Sequence, residues 1–134
     1  MSPMKLLKKY LREIFDVQGR LPRGRFWFLH LIFFIISVIA QILIILLGFL
    51  VCYIAGMELN NYNLVALLNM SNIIVGIPYL LGGLALFYRR THDVNLPFWL
   101  FIIPIINIIL SVYIGIKKGT VGTNKYGADP LETK

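Results

Sequence analysis

Apolar and polar positions along this chain fall into blocks. From Phe26 to about Ala55 the sequence is apolar, with His30, Ser37 and Gln41 as the clearly polar interruptions. A second apolar block runs from Leu64 to Tyr88 and a third from Phe98 to Ile116. A helix crosses the hydrocarbon of a bilayer with about 20 apolar residues, so each block predicts a spanning helix. At about 1.5 Å per residue the first would be roughly 45 Å long, which calls for tilt or for projection beyond the lipid. It is too short to hold two spans and a turn. The pattern predicts an all-α integral membrane protein, a bundle of three spans over 26–55, 64–88 and 98–116.

Ahead of the first block the period changes. Met4, Leu7, Leu11 and Ile14 recur at helical spacing, widened by Leu6, Tyr10 and Phe15, while Lys5, Lys8, Lys9 and Arg12 fill much of the remainder. This predicts an amphipathic helix lying among lipid headgroups, a fourth helix beside the spans. Residues 1–25 are thus a basic interfacial segment, 26–116 the membrane bundle and 117–134 a turn-rich polar tail. The first block is much longer than the apolar core of a signal peptide and no small-residue cleavage site follows it, so it reads as a permanent anchor.

Composition excludes the main alternative. Of 134 residues 58% are hydrophobic and 14% charged, against about 25% charged in soluble domains; a water-soluble globule is ruled out. Thirteen Lys and Arg against six Asp and Glu give +7, read here as affinity for anionic lipid, with no nucleic acid expected. The one cysteine, Cys52, excludes an intrachain disulfide and a Cys-rich metal site. Neither metal nor cofactor is expected.

The positive charges also give an orientation. Seven Lys or Arg precede the first span, none lies in 56–63, two lie in 89–97 and four follow Ile116. With three spans and a cytoplasmic N-terminus, nine fall inside and four outside. Trp27, Tyr88 and Trp99 would then line the inner interface. Lys117 and Lys118 run against this arrangement.

Small residues four apart, Gly48, Cys52 and Gly56 on the first span and Ser111, Gly115 and Gly119 on the third, predict close helix contacts. Pro78 and Pro104 each free a carbonyl within a span and predict kinks. Two arginine clusters flank the spans: Gly19-Arg20-Leu21-Pro22-Arg23-Gly24-Arg25, and Arg89-Arg90-Thr91-His92-Asp93. Arginine's planar fork of donors suits phosphate, and Asp93 is the one acid available to pair with Arg20, Arg23 or its neighbours. Asp93 or Asn95 also suits the entry to the third helix, with Pro97 in its first turn. We expect Arg20, Arg23, Arg89, Arg90, His92 and Asp93 to form one polar cluster. The tail, rich in Gly with Asn124, Asp129 and Pro130, lacks the Gly-Lys-Ser/Thr ending of a phosphate-binding loop.

Three motifs in order carry a resemblance. Gly19, Arg20, Arg23, Phe26 and Trp27 form the first; Arg89, Arg90, His92, Asp93, Trp99 and Pro104 the second. Gly119, Thr120, Gly122, Asn124, Tyr126, Gly127, Asp129 and Pro130 form the third. Together they resemble the domain-of-unknown-function family 805, small bacterial inner-membrane proteins, over about Gly19 to Pro130. Thr91 departs from the family's usual Leu, and Val94-Asn95-Leu96-Pro97 replaces a glycine-rich turn. The resemblance implies a bacterial plasma membrane and a compact helical bundle, and no activity.

Three function classes compete. A non-catalytic subunit, regulator or scaffold, binding anionic headgroups or a partner through its basic cytoplasmic face, needs only what is visible. The partner would be a second copy or another membrane protein. An oligomeric channel or transporter component would use Gln41, Asn69, Asn72 and Asn107, but no ionisable residue lies deep in a span. An enzyme is disfavoured: no catalytic residue stands out, since His92 and Asp93 are sequence neighbours whose side chains diverge and no nucleophile has a recognisable setting.

Overall fold

The computed structural model describes residues 3–58 and 60–132, apart from the side chains of 102, 104 and 105. The described chain is all-helical: α1 (Pro3–Phe15), α2 (Arg23–Ile54), α3 (Asn61–Asp93), a 3₁₀ turn (Phe98–Ile102) and α4 (Pro104–Ile116). At 32 and 33 residues, α2 and α3 are each long and apolar enough to cross a membrane.

Local sequence sets the helix ends. The Asn60 side chain caps α3, accepting from Asn63 N at 2.9 Å. Gly56, at φ +63°, closes α2: its N–H donates to Tyr53 O and that of Met57 to Cys52 O. This is the paired-bond arrangement that a left-handed residue permits after a helix. Asn95, at φ +61°, does the same for α3, with Asn95 N to His92 O and Leu96 N to Thr91 O. Asn95 therefore ends α3 and does not cap the next helix. Arg89–Asp93 are the last residues of α3, where sequence reading placed a loop.

The third apolar block is corrected too. It is not one continuous helix: the 3₁₀ turn stops at Ile102, Ile103 is extended, and Pro104 takes the first helical position of α4. There its missing N–H costs nothing. Pro104 starts a helix, where a mid-span kink was expected. Helix α3 runs on through Pro78.

The chain forms two compact units. One comprises the described residues up to Leu31 and from Gly82 on. Ile14, Leu21, Phe26, Leu29, Ala85 and Leu86 are buried there. A second cluster, Val94, Phe101, Leu110 and Ile114, fastens the 3₁₀ turn onto α4, with Phe87 and Phe98 against it. The second unit is Ile32–Leu81, portions of α2 and α3. Here Gly48 accommodates Leu67 where a side chain would collide with it. Gln41 Nε2 donates to Ser71 Oγ at 2.8 Å and to Asn72 Oδ1 at 3.1 Å. Most other side chains in this unit are exposed and apolar, as a lipid-facing surface requires.

Candidate functional site

The first unit brings the three motifs together around Asp93. The Asp93 carboxylate, 2% exposed as a residue, accepts from Arg20 Nε at 3.3 Å and from Arg90 Nη1. Arg90 is fully buried. Two buried cations around one buried anion would be costly without further partners. Those partners are backbone carbonyls and the Thr120 hydroxyl. Arg20 donates to Gly122 O at 2.7 Å, Gly127 O at 3.3 Å, Thr120 Oγ1 at 3.0 Å and Thr120 O. Arg90 donates to Ile114 O at 2.8 Å, Leu21 O at 3.2 Å and Lys117 O.

This arrangement also solves a problem of α4. The last carbonyls of a helix have no partner within it. Here Ile114 O accepts from Arg90, Gly115 O from Trp27 Nε1 at 2.9 Å, and Ile116 O from Arg23 Nη1 at 3.0 Å. Tyr113 O accepts from Lys117 N at 2.9 Å. Positive guanidinium groups also suit the negative end of the helix dipole. The arginines serve as caps for an incoming helix end.

The remaining predicted residues divide. Arg23 reaches Ile116 O and is exposed; its partner is not Asp93. Arg89 donates to Glu13 O at 2.9 Å and lies 3.8 Å from Asp16. His92 is held between Tyr88 and Tyr126, the latter stacked at 3.8 Å with planes 4° apart. Gly119 lies against the Asp93 carboxylate, where a Cβ would collide with it. Gly115 faces the Trp27 ring, 2.8 Å from where its Cβ would stand. Gly56 is a cap, not a packing contact, since a Cβ there meets nothing within 4 Å. Ser111 donates to Asn107 O of its own helix, and Cys52 is a half-buried free thiol.

The tail is ordered by the same centre. Asn124 Nδ2 donates to His92 O at 3.0 Å, while Thr120 N donates to Asp93 O at 2.8 Å. Asn124 and Gly127 exchange backbone hydrogen bonds. Asp129 accepts from Gly122 N at 3.0 Å and Leu131 N at 2.9 Å, and Pro130 follows in a turn. The Leu131 N–H first, then that of Gly122, holds the Asp129 carboxyl below the usual carboxylate range. In α1, a hydrogen bond from Arg25 to Glu13 Oε1 at 2.6 Å lowers Glu13 in the same sense. Sequence reasoning missed Glu13, Trp27 and Thr120 as partners, and also the carbonyls of 114–117.

Residues 14–128 match the family described as protein of unknown function (DUF805). The chain belongs to that family. A DUF805 relative, the inner membrane protein YhaH of Escherichia coli strain K12, is 29% identical over 130 residues, covering 95% of this chain and 93% of YhaH. YhaH of Escherichia coli O157:H7 matches to the same extent. No solved structure matches. The DUF805 match takes in α2, α3 and α4 together with Arg20, Asp93 and Thr120. This chain is thus a membrane protein of a family without assigned function.

Proposed function

We propose that this chain is a two-pass protein of a bacterial plasma membrane, non-catalytic, with every cluster of positive charge on the cytoplasmic side. In this reading α2 and α3 cross the bilayer and residues 98–116 enter it and return on the same side. The observation that carries it is the hydrogen bond from Thr120 N to Asp93 O. A spanning third segment would set those residues about 30 Å apart across the hydrocarbon, and α4, with 13 residues, is only about 20 Å long. The 3₁₀ turn before α4 fits such a re-entrant segment, because Phe101 is buried against Leu110 and Ile114. Lys117 and Lys118 then join the other cations, and the Lys and Arg among the described residues all lie on one side, as short-loop charge bias favours.

Within that face, α1 is the lipid-binding element. Lys5, Lys8, Lys9 and Arg12 are exposed and lie along one face, lining an open hollow of about 900 Å³. Met4 and Leu7 are exposed beside them, as expected of a helix seated at the headgroup boundary. The buried guanidiniums of Arg20 and Arg90 are occupied by carbonyls and Asp93, so they position the face and do not meet lipid. The role that fits is a scaffold or regulatory subunit held against anionic headgroups. Mass spectrometry of lipids retained on the protein in nanodiscs tests this. Replacing Lys5, Lys8, Lys9 and Arg12 together by Gln should abolish enrichment of phosphatidylglycerol over phosphatidylethanolamine, and unchanged enrichment would refute it.

A further inference from the structure

Helix α3 carries two exposed carboxamides, Asn69 and Asn72, that an acyl chain cannot satisfy. Asn69, Asn72, Ile73, Gly76, Ile77 and Leu80 line a shallow hollow of about 520 Å³ made by α3 alone. Asn72 accepts from Gln41, yet among the described residues its amide N–H groups have no acceptor. The Asn69 side chain has no partner there at all. Asn72 lies 17 positions before Arg89 in α3, so it sits about 25 Å along the helix from the cytoplasmic boundary. This is within the hydrocarbon, where an unpaired amide is expensive. Asn69 is one turn further, at the outer edge.

We propose that this chain pairs with a second copy of itself through the α3 face of Asn69, Asn72 and Gly76. An acyl chain offers no hydrogen-bonding group, whereas a carboxamide is its own complement, with acceptor and donors on one side chain. Two copies of the same face related by a two-fold axis would satisfy both sets reciprocally. Gly76 supplies the approach: it is exposed, and a methyl group placed there would meet nothing within 4 Å. It has no packing duty inside the protomer and leaves room for a partner's backbone. Asn72 and Gly76 also line the neighbouring groove, of about 310 Å³, with Ser37 and Gln41. The two hollows meet at the residues proposed to pair.

The proposal rests on α3 crossing the membrane, which thiol labelling from outside checks independently through Met57→Cys. The pairing itself is read by single-molecule photobleaching of full-length labelled protein in vesicles. Wild type should bleach in two steps, and Gly76→Leu should raise the dimer dissociation constant about tenfold or more without changing the thermal melt. Asn69→Leu, an exposed position without partners, serves as the second variant should Gly76→Leu fail to fold. Ile109→Phe on exposed α4 should leave the dimer intact. In a Cys52→Ala background, Ile73→Cys should cross-link copy to copy. One-step bleaching of the wild type overturns the proposal, as does a dimer indifferent to both α3 variants. So does cross-linking of Ile73→Cys only to a different membrane protein.

Discussion

The Nε of Arg20 donates to Asp93 Oδ1 at 3.3 Å across 73 positions of sequence, with both side chains almost wholly buried. Removing one member of such a group leaves the other charges buried without a counter-ion, at a cost of about 3–5 kcal/mol. Asp93→Ala should therefore destabilise the protein by about that amount, measured as a fall in thermal unfolding temperature in detergent. A charge swap, Arg20→Asp with Asp93→Arg, should not restore it. The acceptors Thr120 O, Gly122 O and Gly127 O cannot face a carboxylate, so recovery of stability would show that the ion pair alone holds the site.

Gly119→Ala should be harmful and Gly24→Ala near neutral. A Cβ at 119 runs into the Asp93 carboxylate, whereas one at 24 meets nothing within 4 Å. Overpacking of this kind costs about 1–3 kcal/mol, and the same unfolding measurement separates the two variants.

The tail should loosen in acid. The Asp129 pKa is lowered in the folded chain. Its contribution is thus present above the ordinary carboxylate range and lost as pH falls through that range to the lower folded value. Amide exchange at Gly122 should accelerate over that interval, and Asp129→Asn should remove the pH dependence.

Topology is open to direct labelling. In a Cys52→Ala background, an impermeant thiol reagent outside intact cells should modify Met57→Cys and spare Val121→Cys until the membrane is opened. Both positions are exposed, Val121 at 93%, so protection must come from the membrane. Labelling of Val121→Cys in intact cells would restore a third span.

Hydropathy and helical period sufficed for α1, α2 and α3, because long apolar runs and a basic stripe leave few alternatives. One acid among many arginines marked Asp93 as a meeting point, but not which cations reach it: Arg20 and Arg90 do, whereas Arg23 turns to Ile116 O and Arg89 to Glu13 O. The fate of 98–116 was not. Mean apolarity does not distinguish a spanning helix from a 3₁₀ turn followed by a short helix, and Pro104 reads equally as a kink or a start. The carbonyls of Ile114, Gly115 and Ile116 were invisible for a deeper reason: every residue has one, so no spacing marks those to be capped. The motif glycines were noticed, but only the fold separates Gly119, which makes room for a carboxylate, from Gly56, which closes a helix.

Arg20 finds its acceptors 100, 102 and 107 positions further along the chain. Until that last segment has been made, then, Arg20 has Asp93 as counter-ion but lacks the carbonyls that enclose its guanidinium. The long helices can form early, yet the fastening around Arg20 waits for the last segment to be made. A chain halted before Thr120 would leave the buried Arg20 guanidinium without the acceptors that Thr120, Gly122 and Gly127 supply.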